Sequence, residues 1–234
     1  MRYTRLFTLL LLVACVSGCD LDNPEDGIAT SDIIVLSIDK DSILANGVDR
    51  AVLSATLGPL AEPDQEITFS TEQGTLSGSS AENPDLLTIK TSNKVAITTL
   101  QSNNVADDQV EVSAAVGDFK ALQTLRFRRA YPDNMIFSAE KNTIDADRID
   151  FATLTIQLFR DIGVPSLGTK INLEVIANDP GAADIKPFIF SGDDGSATVT
   201  VKSGNGQPGM VNIKASTRNQ AGNTVSQILT LEFQ

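Results

Sequence analysis

From Ile33 to the last residue, apolar and polar side chains alternate along the chain. Val110, Val112, Ala114 and Val116 alternate with Glu111, Ser113 and Ala115. Val211, Ile213 and Ala215 alternate with Asn212 and Lys214, and Leu229, Leu231 and Phe233 with Thr230 and Glu232. A period of two places successive side chains on opposite faces of a half-buried strand. No window shows the 3.6-residue apolar period of a helix. The pattern predicts strands near 33–38, 52–57, 67–70, 86–90, 95–100, 110–116 and 120–127. A second set falls near 135–139, 152–159, 171–176, 185–190, 197–201, 211–216 and 226–233. Turn-forming clusters separate them, as at Gly58-Pro59, Asp107-Asp108, Asp179-Pro180-Gly181 and Gly204-Asn205-Gly206.

The two sets are copies. Ser37, Lys40 and Ala45 match Ser138, Lys141 and Ala146 at a shift of 101 positions, as do Leu53 and Leu57 with Leu154 and Leu158. Val110 to Ala114 matches Val211 to Ala215 at the same shift. Ile67 and Phe69 match Ile171 and Leu173 at 104, so a small insertion lies in the preceding loop. Leu125 and Phe127 match Leu231 and Phe233 at 106, through a longer final hairpin. Constant register in strands with slippage in loops marks two copies of one domain, at 32–129 and 130–234. About seven one-sided strands per copy are best buried as two packed antiparallel sheets. The expected fold class is therefore all-β, two tandem β-sandwiches.

The strand order carries a family resemblance. Copy one runs Leu53-Ser54-Ala55-Thr56-Leu57, then Ile67-Thr68-Phe69-Ser70-Thr71-Glu72-Gln73-Gly74-Thr75-Leu76, then Val95 to Leu100 and Val110 to Ala114. This resembles the bacterial immunoglobulin-like domains of the invasin and intimin type. Copy two keeps Asp194-Gly195-Ser196-Ala197-Thr198-Val199-Thr200-Val201 and the Val211 to Ala215 strand, with Ile171 to Val175 in place of the Phe-Ser-Thr segment. The resemblance implies immunoglobulin-like sandwiches serving as stalks, spacers or adhesion modules. Its motifs encode folding, so it transfers no ligand-contacting residue.

The first residues decide delivery. Arg2 and Arg5 precede an apolar run from Leu6 to Val16, followed by Ser17, Gly18 and Cys19. A charged start, a short apolar stretch and small residues before a cut site make a secretory signal over 1–18. The run is short for a bilayer span. Val16-Ser17-Gly18-Cys19 resembles the bacterial lipobox, which implies cleavage before Cys19 and acylation of that residue. Each buried methylene adds about 0.8 kcal/mol, so more than one acyl chain gives stable anchoring. Residues 19–31, acidic and rich in turn formers, read as a flexible tether between lipid and fold. Asp20 resembles an inner-membrane retention signal of enteric bacteria. The acidic run Asp20, Asp22, Glu25, Asp26 resembles instead the tethers of surface-exported lipoproteins. Adhesion-type domains point to the outer membrane or cell surface by analogy.

Composition narrows the chemistry. The leader takes with it two arginines and no acid, so 16 basic side chains face 30 acidic ones. Nucleic acid and anionic lipid surfaces both require clustered Lys and Arg, so neither is an expected partner. The only cysteines are Cys15, in the leader, and Cys19, so the folded region has neither disulfide nor thiolate metal site. Histidine is absent, which removes the commonest general base and metal ligand. Tryptophan is absent and tyrosine occurs twice, which weakens a sugar-binding reading. No Gly-x-Ser-x-Gly elbow and no phosphate loop occurs. No enzyme activity, no cofactor and no metal site is expected, and no catalytic residue is nominated.

Three clusters remain. Asp193-Asp194-Gly195 offers paired carboxylates beside a glycine, as calcium loops do, or a plain turn into a strand. Asp145, Asp147 and Asp150, with Asp39 and Asp41 on equivalent ground in copy one, offer a cation site between domains or charges that guard a strand edge. Arg126, Arg128 and Arg129 flank the junction, as an anion or partner site or as partners of nearby acids. The functional expectation is a lipid-anchored envelope module that binds a protein partner in adhesion. The alternative is a structural spacer or accessory subunit without its own ligand. An exposed apolar patch at the Gln234 tip distinguishes the first from the second.

Overall fold

The computed structural model describes residues 27–179 and 182–234. The leader, Cys19 and the tether up to residue 26 lie outside the described residues. The remainder of the expected tether includes the start of a single helical turn, α1 (Thr30–Ile33), so ordered structure begins slightly earlier than the polar composition implies. Among the described residues, no helix is long and apolar enough to cross a membrane.

Among the described residues, eighteen strands follow in two sets of nine. In the first set, β1 (Ile34–Ile38), β3 (Arg50–Leu57), β7 (Val95–Gln101) and β5 (Thr75–Leu76) form a four-stranded sheet in the order β1-β3-β7-β5. Facing it, β2 (Ser42–Ala45), β9 (Phe119–Arg129), β8 (Asp107–Val116), β4 (Glu66–Thr71) and β6 (Leu86–Lys90) form a five-stranded sheet in the order β2-β9-β8-β4-β6. The second set repeats this. Here β10 (Asn134–Ala139), β12 (Phe151–Phe159), β16 (Ser196–Ser203) and β14 (Ala183–Asp184) make the four-stranded sheet. Its partner sheet holds β11 (Thr143–Ile144), β18 (Thr224–Phe233), β17 (Gly209–Arg218), β13 (Lys170–Asp179) and β15 (Phe188–Phe190). The chain is thus two immunoglobulin-like β-sandwiches in tandem.

Alternation produces the cores. In β3, Ala51, Leu53, Ala55 and Leu57 are buried while Arg50, Val52 and Thr56 are exposed. Buried apolar residues fall into two separate clusters. One is built around Leu53, Ile67, Phe69, Leu100 and Phe127, the other around Met135, Ile144, Leu154, Ile171 and Phe233. Burying each such side chain contributes about 1.5–3 kcal/mol. No disulfide is needed to hold either cluster.

Each set has nine strands rather than the seven that the alternation predicts. The additional ones, β2, β5, β11 and β14, have two to four residues, too few for a period to show. The predicted strand at 185–190 shortens to β15, which begins after Pro187, because proline has no N–H for a ladder. The first strand of each set also changes sheets: β1 pairs antiparallel with β3, then β2 pairs parallel with β9. β10 and β11 do the same with β12 and β18.

Candidate functional site

The turn between β2 and β3 is built by two side chains. Asn46 Oδ1 accepts the N–H groups of Val48 and Asp49 at 3.1 and 2.8 Å. Asp49 in turn accepts the N–H groups of Leu44 and Arg50. Gly47 sits at φ 79, in the left-handed region.

The same turn recurs between β11 and β12 at a shift of 101. Asp147 Oδ1 accepts the N–H groups of Ile149 and Asp150 at 2.7 and 2.8 Å. Those N–H groups hold its carboxyl below the usual aspartate range. Asp150 accepts the N–H groups of Asp145 and Phe151, and Lys141 Nζ lies 2.6 Å from it. Lys141 first, then the Asp145 N–H, also lowers the Asp150 pKa. Arg148 takes the left-handed position of Gly47, at φ 66. The acidic group is therefore a turn-building device. It also stands at the end of the second sandwich remote from the first, where the Ala146 N–H meets the Gln234 carbonyl. That speaks against the alternative of a cation site between domains. Among the described residues, no group of acids is placed to hold a metal ion.

What covers the two turns differs. In the first sandwich the turn is met by the 160–168 loop between β12 and β13. The Val164 N–H donates to the Asn46 carbonyl at 2.9 Å, and Asn46 Nδ2 donates to the Ile162 carbonyl at 3.4 Å. Ser166 Oγ donates to the Ala45 carbonyl at 2.7 Å and accepts the Ala130 N–H at 2.8 Å, fully buried. Beside it, the Asn104 carbonyl accepts the Leu167 N–H, and Asn104 Nδ2 donates to the Asp193 carbonyl. Gly163, at φ 76, lies so close that a Cβ there would stand 2.3 Å from the Asn46 carbonyl oxygen. The two sandwiches are docked through this loop.

In the second sandwich no described segment covers the turn. Ile149 is 81% exposed, and Phe151, Met210 and the chain end lie at the same tip. A cleft of about 350 Å³ opens beside it, lined by Ile149, Phe151, Ile185, Lys186 and Lys202. Arg148 reaches across to the Asn205 carbonyl at 2.8 Å. That carbonyl corresponds to the Asn104 carbonyl that receives Leu167 in the first sandwich.

The other sequence-nominated residues are placed as follows. Asp194 Oδ1 accepts both the hydroxyl and the N–H of Ser196, which lower its pKa, so it forms the turn into β16. Asp193 contributes its carbonyl to the junction. Asp39 Oδ1 accepts the Val52 N–H where the chain leaves β1, and the Asp41 carbonyl accepts the Arg126 N–H. Of the three arginines, Arg129 crosses the junction, to the Leu167 carbonyl rather than to an acid. None of the three is in an ion pair among the described residues. The sequence reading missed the docking loop itself. Its signal was present: the three-residue slip between Leu158 and Ile171 falls inside it.

Among solved structures, the chain is similar to the adhesin InvE of Yersinia pseudotuberculosis, with 16% identity and a TM-score of 0.58. The match covers 88% of this chain and 60% of InvE. It is also similar to invasin, described as a bacterial integrin-binding protein, with 21% identity and a TM-score of 0.60 over 86% of this chain and 39% of invasin. These neighbours define the fold as the immunoglobulin-like type that bacterial adhesins use. The chain spans less than two thirds of the length of either. No protein-family model matches the chain, and no curated protein sequence matches it.

Proposed function

We propose that the chain is an envelope adhesion or binding module, lipid-anchored at Cys19, that contacts a protein partner with its opposite end. One observation carries the reading. The turn that holds a whole domain in the first sandwich recurs in the second with Ile149 open to solvent. Beside it, Phe151, Ile185 and Val201 share a cleft with Asp184, Lys186, Thr200 and Lys202, so exposed apolar groups stand among polar ones, as at a protein contact with a polar rim. Described strands begin at the end far from this tip, which supports a reading with an N-terminal anchor and a contact surface at opposite ends. A fold shared with adhesins is consistent with this use, and no catalytic step is assigned.

Three tests separate anchor, facing side and contact. Cys19→Ser followed by cell fractionation should release the protein from the membrane. Retention with unchanged processing would overturn the anchor. Protease treatment of intact cells should digest the domains if they face outward from the outer membrane. Full protection until the outer membrane is permeabilised would place them in the periplasm. Ile149→Lys should abolish recovery of the partner cross-linked to the chain on intact cells, with folding unchanged. Undiminished recovery would leave the spacer reading, which the docked junction supports.

A further inference from the structure

The outward faces of the two sheets in each sandwich differ in charge. On the four-stranded sheet of the first sandwich, outward positions include Val35, Ser54, Thr56, Ile97 and Thr99, and between Val35 and Thr99 none is charged. On that of the second, outward positions include Ile136, Ser138, Thr155, Thr198 and Thr200, again without a charge. Charges stand at the borders of these faces, as Arg50, the Lys202–Asp184 pair, and Lys186, whose segment lies beside Thr153, Thr198 and Thr200. The five-stranded sheets are different. Their outward positions carry Glu66 opposite Lys90, Glu111 near Lys120, and Glu174 opposite Lys214. In a chain with 21% charged residues and a net charge of −12, two charge-free faces at equivalent places need a cause.

Strand propensity favours the Thr, Val and Ile on these faces, but outward positions of a one-sided sheet also tolerate charge, as the five-stranded sheets show. Depletion of charge is what distinguishes the core of a protein contact from the remaining surface. Exposed aliphatics stand on both faces: Val35 at 47%, Ile97 at 59% and Ile136 at 53%.

We infer that these faces are where a second copy of this chain packs, side by side. Three arguments select that occupant. Two acidic molecules repel, and a charge-free face is where they approach at least electrostatic cost. A two-fold contact sets the same groups against each other, and Ser, Thr and aliphatic side chains accept that. A hydroxyl both donates and accepts, so it pairs with its own copy, whereas a carboxylate does not. Size sets the strength of the contact. Four strands about 4.8 Å apart and five residues of about 3.3 Å each give roughly 300 Å² per face. One face is well below the ~800 Å² per partner of a stable contact, and two faces together stay below it, so the dimer is weak and reversible.

The test is sedimentation equilibrium of the chain from Asp20 onward, which keeps both sandwiches and removes the lipid. A monomer–dimer equilibrium in the micromolar range is expected. It should tighten as salt rises, because screening relieves the net repulsion. Ile97→Lys with Ile136→Lys should weaken the dimer at least tenfold. Thr198→Glu is a second variant on the same face, in case the first lowers stability. Leu122→Lys, on the outward face of β9, and Ile149→Lys, at the tip, should leave it unchanged. A monomer at millimolar concentration would overturn the inference. So would a dimer that salt weakens, or one broken by Leu122→Lys or Ile149→Lys but not by the face variants. Because Ile149→Lys spares the dimer, failure here is distinguishable from failure of the tip as a partner site.

Discussion

The turn at Asn46–Asp49 and the turn at Asp147–Asp150 are the same structure in two circumstances. Each has an Asx side chain gathering two N–H groups, an aspartate locking the ends, and a left-handed residue at the second position. One carries a domain and the other faces water. The difference lies in which groups point outward. Asn46 offers both a carbonyl and an amide donor to the 160–168 loop, and Gly47 leaves room, with Val164 Cγ2 3.8 Å from where a Cβ would be. Asp147 has no donor to offer, and Arg148 occupies the corresponding space and caps Asn205. The second turn keeps the scaffold of a docking platform but not the groups that dock this loop. A copy of 160–168 is therefore the wrong occupant, and Ile149 is left for a different one.

The comparison breaks most sharply at Gly163. Gly163→Ala drives a Cβ into the Asn46 carbonyl at a left-handed φ. We expect a loss of about 3 kcal/mol and, in calorimetry, two separate transitions in place of a coupled one. Ser166→Ala orphans the buried Ala130 N–H and Ala45 carbonyl, and should cost about 2 kcal/mol by urea unfolding, again by loosening the junction.

Asp150 sharpens the comparison through pH. Its folded pKa is lowered, chiefly by Lys141, so its stabilisation is complete above the ordinary aspartate range and is lost as pH falls through the lowered value. Asp150→Asn should therefore lower the melting temperature of the second sandwich at neutral pH. The deficit should vanish at acid pH, and a constant deficit would contradict the assignment. Arg148→Gly should have the smallest effect, within about 0.5 kcal/mol, because relief of a positive φ offsets one exposed hydrogen bond.

Much of this architecture was legible in the sequence. Period-two runs such as Val110–Val116 showed the strands, because one face of each sheet is buried and the other wet. The shift of 101 showed two sandwiches, because strand register tolerates no slippage. What stayed hidden depends on contacts between distant segments. β5 and β14 are two-residue strands whose identity comes from pairing with β7 and β16. Asp145, Asp147 and Asp150 offered a cation site as an alternative because composition does not show that the Asp147 and Asp150 oxygens already hold backbone N–H groups, that of Asp145 included, and Lys141. The 160–168 loop appeared only as a three-residue slip, and its role needed the position of Asn46, more than 100 residues earlier.

The central claim is that one turn serves contact in both sandwiches, inward in the first and outward in the second. Photo-cross-linking on intact cells, with the reactive side chain at position 48 or at position 149, tests it most directly. Position 48 should link within the chain to the 160–168 loop, and position 149 should link to one recurrent protein partner. Failure of 48 to reach that loop, or absence of any recurrent adduct at 149, would contradict the account.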